Sequence, residues 1–220
     1  MRGFFATCSL SLLLATNANA ALFDFSDFSA GTIAPSLSNS VFSVTASGGI
    51  DEVGVLKTVA PSVGTANDPD LKSPFENVDN ASDVRAFGNA LIIQDNKTGG
   101  PDDNAGGGNL TFTFVNAVTI DRVDLLDIEE RSTIKLFDAE NNLLAKLSGQ
   151  VDNKGLPNDG PNQFKSFFFD TAGVSKMQVK LRGSGAVGEF TAQVPLPAGG
   201  LMLLSGLGGL AIYRRRRAAK

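Results

Sequence analysis

The chain has 220 residues, with 23 Asp and Glu against 19 Lys and Arg, no histidine, no tryptophan and one cysteine, Cys8. Lacking histidine, it cannot assemble from its own side chains a Ser-His-Asp triad, a Cys-His dyad or a His-ligated zinc site. Arg2, Arg214, Arg215, Arg216, Arg217 and Lys220 lie at the two ends, so residues 21–197 keep all 23 acids against 13 bases; such a surface repels a phosphate backbone, and nucleic acid is not an expected partner.

The N-terminus carries three features in order: Arg2, an apolar run from Phe4 to Ala15, and Ala18-Asn19-Ala20. A short positive region, an apolar region and an A-x-A site are the elements of a secretory signal peptide. Residues 1–20 are therefore predicted to be removed, leaving an exported chain that starts at Ala21. Cys8 leaves with the peptide, so the exported chain has no disulfide framework although its compartment permits one. Such a domain must bury a sizeable core or hold a metal.

Residues 21–193 read as one exported domain of ordinary size. Their dominant period is two. Leu110, Phe112 and Phe114 alternate with Thr111 and Thr113; Met177, Val179 and Leu181 alternate with Gln178 and Lys180; Ile134 and Leu136 flank Lys135. Further predicted strands are Val41 to Thr45, Val53 to Val59, Leu91 to Ile93, Val118 to Ile128, Leu143 to Leu147, Phe164 to Phe169 and Glu189 to Gln193. Asn141-Asn142 reads as a hairpin turn, because Asn tolerates left-handed backbone. Gly106-Gly107-Gly108 and Gly183-Ser184-Gly185 read as loop glycines, because no Lys-Ser/Thr and no helix follows them as in a phosphate loop. About ten short strands punctuated by Gly, Pro, Asn and Asp predict an all-β fold, an antiparallel β-sandwich of jelly-roll-like form. Immunoglobulin-like topology is the alternative, without its Cys–Trp–Cys markers. Sixteen phenylalanines and no tryptophan favour rings in the core over a flat stacking face; Phe167-Phe168-Phe169 could place one ring outside, but is expected rather to be a strand buried on both faces or tucked under a loop.

With histidine and cysteine gone, carboxylates carry what chemistry remains. The acidic stretches are Asp68-Pro69-Asp70, Asp95, Asp102-Asp103, and Asp124, Asp127, Glu129 and Glu130. Calcium takes six to eight oxygens, and Asp-rich loops bent by glycine supply them. The candidate ligands are Asp68, Asp70, Asp102, Asp103, Asp127 and Glu129, with calcium as the cofactor they would hold. The plain reading is that Asp, Asn, Gly and Pro compose any β-loop. Taken in order, DPDLKSP, LIIQD, PDDNAGGG and LLDIEE are similar to a recurring exported β-sandwich domain, which implies that these loops converge. Asp127 with Glu129 or Glu130 could also serve as the acid and base of glycoside hydrolysis.

At the C-terminus, Val194-Pro195-Leu196-Pro197-Ala198 precedes an uncharged stretch to Tyr213 and then Arg214-Arg215-Arg216-Arg217. As a helix, Ala198 to Tyr213 would span about 24 Å, short of the roughly 30 Å hydrocarbon core. Its five glycines weaken it further, as suits a transient transmembrane helix rather than a permanent one. The arginines would hold its end on the cytoplasmic side. This layout resembles the VPLPA variant of the PEP-CTERM sorting signals, with Leu196 where the named Pro-Glu-Pro pattern has glutamate. The resemblance covers residues 194–220 and implies recognition and cleavage by an exosortase-type membrane protease, in bacteria that also make extracellular polysaccharide.

The leading expectation is a non-enzymatic exported cell-surface or matrix protein, anchored in the inner membrane during processing and then released to the surface, with extracellular polysaccharide as partner. The alternative is a calcium-dependent carbohydrate-binding module, and the third a carboxylate glycosidase or lyase.

Overall fold

The protein is described by a computed structural model covering residues 20–58, 71–96, 100–150 and 162–195. Residues 1–19 of the predicted signal peptide, Asp68, Asp70, Leu196, Pro197, Ala198, Arg214, Arg215, Arg216, Arg217 and the apolar run before them lie outside the described residues. Within the described residues there are thirteen strands and no helix: β1 (Ala20–Phe23), β2 (Ile33–Ala34), β3 (Ser36–Ser38), β4 (Phe42–Ser47), β5 (Val53–Lys57), β6 (Phe75–Asn77), β7 (Asn80–Arg85), β8 (Asn89–Ile93), β9 (Gly108–Leu126), β10 (Ser132–Phe137), β11 (Leu143–Gly149), β12 (Asn162–Leu181) and β13 (Ala186–Gln193). The predicted all-β class is borne out, and pairing is antiparallel except for β6 beside β12.

Two strands organise the whole. β9 and β12 are 19 and 20 residues long and pair with each other over most of their length. Where short separate strands were expected, each of these two runs through a corner. The register shifts three times between Phe168 and Lys176, and Asp170 and Gly173 there adopt positive φ of 67° and 75°. Such shifts leave residues unpaired and bend the strand. The first half of β9 pairs with β4, and its second half with β13. The chain thus folds into two layers. One contains β3, β4, the start of β9, the end of β12, β10 and β11; the other contains β2, β5, β8, β13, the end of β9 and the start of β12.

Period-two alternation places one side of each layer inward. Val44, Leu110, Phe112, Ile134, Leu136, Met177 and Val179 of the first layer pack into one core with Val53, Val55, Leu91, Val123, Leu125, Val187 and Phe190 of the second. Phenylalanine rings bridge the layers, with Phe190 centred 5.6 Å from Phe42, 5.7 Å from Phe112 and 6.0 Å from Phe114. Edge-to-face pairs at this spacing contribute beyond their buried area. A second, smaller core lies on the outer side of the second layer, where Leu71, Phe75 and Phe87 cover Ile92, Leu126, Phe164 and Ala186.

The expected hairpin at Asn141-Asn142 is present. Asn141 has φ of 67°, and the Asp138 carboxylate accepts from Asn142 N at 2.7 Å and Nδ2 at 2.9 Å. The phenylalanine triplet follows the alternative of one ring outside: Phe167 is buried, Phe169 packs on the core, and Phe168 is 70% exposed.

Both layers share two ends. At one, Gly107 sits against Leu181 and Arg182, Gly108 against Ser47, and Gly185 against Leu126 and Asp127. At the other, Val115 N donates to Val41 O, and Gln193 at the end of β13 pairs with Thr119 and with Ala20 at the start of β1. Residue 20 and residue 193 are therefore direct neighbours, at the end opposite the glycine-rich loops.

Candidate functional site

At the loop end the structure brings together three of the four acidic stretches. Gln94, fully buried, organises them. Its Nε2 donates to Asn96 O at 2.7 Å and to Gly100 O at 3.1 Å, and its Oε1 accepts from Asp102 N at 3.2 Å. Asp102 Oδ2 accepts from Asn96 Nδ2 at 2.9 Å. Asp103 Oδ2 accepts from Ser184 Oγ and from Gly185 N, both at 2.5 Å. Asp127 is buried with φ of 50°, its N donating to Gln163 O at 3.0 Å, while its carbonyl faces Gly185. Glu130 lies against Gly183, and Glu129 is exposed. The loops converge on the 183–185 turn as expected, but through backbone and hydroxyl contacts. Among the described residues, no three carboxylates come together in a way that could hold a metal ion. The stretch containing Asp68 and Asp70 continues into Leu71 and Ser73. Those residues lie in the second core and against Thr58, whose O accepts from Ser73 N at 2.6 Å. A depression of about 620 Å³ opens beside these loops between Gly48, Gly107 and Arg182. A side chain at Gly107 would collide with the Leu181 carbonyl there, and φ of 67° favours glycine as well.

Of the residues expected to form a sorting motif, Val194 packs on the core and Pro195 is exposed.

A second constellation sits on the outer face of the second layer. Three rows run across β13, β9 and β12. Ala186, Leu126 and Phe164 form an apolar row; Glu189, Asp124 and Ser166 form the next; Thr191, Arg122 and Phe168 form the third. Residues opposite each other across antiparallel strands have Cβ atoms about 5 Å apart. The β6–β7 hairpin covers the apolar row and sends Arg85 over the Phe164 ring, 5.0 Å from its centre. Arg85 reaches Asp83 at 2.7 Å, Asp124 at 3.0 Å and Glu189 at 3.5 Å. Arg122 reaches Glu189 at 2.5 Å and Asp124 at 3.1 Å. The latter contact, from Nε, is an ion pair without hydrogen-bond alignment.

This cluster has strong internal electrostatics. Burial and the neighbouring Asp124 charge push the Glu189 carboxyl up to about 7, with the two arginines pulling the other way. Hydrogen bonding to Arg85 holds Asp83 below the usual carboxylate range. Asp124 is fully buried, yet among the described residues its Oδ1 has no hydrogen-bond partner, and neither does Ser166 Oγ in the strand beside it. Buried polar atoms are rarely left so. Arg85, Arg122, Ser166, Phe168 and Glu189 were absent from the sequence-derived candidates, and Asp124 was grouped with the loop acids. The available signal was alternation: buried Val123 and Leu125 require Arg122, Asp124 and Leu126 to share the opposite face.

No protein-family model matches the chain, and a search of curated proteins returns no match. Among solved structures, the lectin-binding domain of a His 62 mutant of lectinolysin, complexed with Lewis b, aligns with a TM-score of 0.34 and 8% identity, over 64% of this chain and 91% of that one. A CBM32 module from a family 31 glycoside hydrolase of Clostridium perfringens gives 0.30 and 10%, over 42% and 70%. The enzymatically active domain of tailspike protein 4 from bacteriophage CBA120 gives 0.31 and 14%, over 72% of this chain and 20% of that one. Similarity at these scores leaves the function to be argued from the chain's own residues.

Proposed function

We propose that the chain is an exported, non-catalytic carbohydrate-binding protein of the cell surface or extracellular matrix, delivered by a signal peptide and sorted at a VPLPA-type tail. The observation that carries this reading is the pairing of Ala20 with Gln193. Residues 20 and 193, which border the expected signal peptide and sorting motif, are side by side at one end of the sandwich, and the glycine-rich loops lie at the other. A domain held at that end during processing presents its remaining surface outward. The tail resemblance supports extracellular polysaccharide as the partner and an exosortase-type protease as the processing enzyme. The carboxylates available for hydrolysis are divided between buried Asp127 and exposed Glu129 and Glu130, which favours binding over catalysis.

Two measurements on the full chain expressed in an exosortase-bearing host test the reading. Mass spectrometry of the surface fraction should find chains starting at Ala21 and lacking Arg214–Arg217. Cosedimentation with insoluble polysaccharides should retain the protein, with no new reducing ends released. Repeating the latter with calcium and with EDTA decides whether the ion takes part. Intact tails in every fraction, or release of reducing ends, would overturn the reading.

A further inference from the structure

The outer face of the β9–β12–β13 layer offers groups that the fold does not consume. Phe168 holds its ring in solvent on β12, between β9 and β10 in the strand order, 70% exposed. The opposite residue on β9 is Arg122, ion-paired to Glu189. One row away, about 7 Å along the strands, the buried Asp124 Oδ1 and Ser166 Oγ lack hydrogen-bond partners among the described residues. The β6–β7 hairpin stands beside this floor as a wall and contributes Arg85. An aromatic face flanked by a few fixed polar groups is the make-up of a small-ligand site.

Charge selects the ligand class. Asp83, Asp124 and Glu189 face Arg85 and Arg122. Both guanidiniums are already paired with acids, so no free cation is left for an anionic ligand. A carboxylate that accepts beside a guanidinium that donates matches vicinal hydroxyls, which do both. An orphan acceptor and an orphan hydroxyl beneath them suit the same chemistry, directly or through a water that the ligand holds.

We propose that Phe168, Arg122 and Glu189 form a binding site for a neutral saccharide, the ring stacking on the apolar face of a pyranose while Arg122 and Glu189 take its hydroxyls and Asp124 and Arg85 hold those two side chains in place. This rests on the carbohydrate-binding reading above and assigns it a surface. Calorimetry of the full chain against a soluble neutral glucan, a neutral galactomannan and a polyuronate tests it, using wild type, Phe168→Ser, Phe168→Trp and, as a distant exposed control, Leu144→Ser. A neutral glycan should bind, Phe168→Ser should weaken it at least tenfold, Phe168→Trp should retain or tighten it, and Leu144→Ser should leave it unchanged. Far-UV circular dichroism should be the same for all four. If a neutral glycan binds wild type and Phe168→Ser equally, the assignment of the surface falls and the carbohydrate reading stands. Binding of the polyuronate alone overturns the neutral class; binding of none of the three overturns both.

Discussion

On the inner side of the β9–β12–β13 layer, Val123, Leu125, Phe167 and Phe190 sit in an apolar core crossed by phenylalanine rings. On the outer side of the same strands, Arg122, Asp124, Ser166, Phe168 and Glu189 form a charged shelf. The inner face satisfies its groups through packing, to the point that Phe190 touches five other rings. The outer face leaves Arg122 Nε, Asp124 Oδ1 and Ser166 Oγ without hydrogen-bond partners among the described residues, and a large ring in water. One backbone, alternating every second residue, therefore separates the part of the molecule that holds the fold from the part that has chemistry to spare.

The sharpest break of that contrast is Phe190→Ala, which empties the junction of the two layers and should cost about 3–5 kcal/mol, read by chemical denaturation. Next comes Asp124→Ala. It leaves Glu189 as the one acid shared by Arg85 and Arg122; because both guanidiniums retain some solvent contact, the loss should be about 2–3 kcal/mol, below that of a fully buried pair. Asp103→Ala at the loop end removes two hydrogen bonds to the 183–185 turn and should cost about 1–2 kcal/mol.

A smaller effect is the pH dependence of the outer face. Glu189 titrates at about 7 in the folded chain against an ordinary 4.5, so the fold binds the additional proton between those values. Its stabilising contribution is complete below pH 4.5 and is lost as pH rises through 7. Melting temperature should therefore decline from pH 5 to 8, and Glu189→Gln should flatten the decline; a wild-type melting temperature that rises over that range contradicts the assignment. Phe168→Ser should change stability least, within about 0.5 kcal/mol, as for an exposed position. A large loss there would mean that the ring is structural after all.

The inner face was legible in the sequence because alternation reports burial directly: Leu110, Phe112, Phe114, Met177, Val179 and Leu181 all point into the core. The continuity of β9 and β12 was not. Val115-Asn116-Ala117 and Asp170-Thr171-Ala172-Gly173 interrupt the alternation and carry residues common in turns, yet they are corners that the strands round by shifting register. The β6–β7 hairpin was also missed, since its strands are short and only Phe75 and Asn77 are buried in them. In the loops, Asp102 accepts from Asn96 and Asp103 from the 183–185 turn, and composition cannot tell a carboxylate that awaits an ion from one that accepts a turn's N–H. Asp124 was assigned by its acidic neighbours in sequence; its partners, Arg85 and Glu189, lie 39 and 65 positions away and meet it only through strand pairing.

Hydrogen–deuterium exchange of the full chain with and without a bound neutral glycan separates the two candidate surfaces most directly. The account predicts slowed exchange in the strand segments around residues 121–124 and 165–169, with residues 100–107 and 182–185 unaffected. Protection confined to those two loops, with the strand segments unchanged, would contradict it.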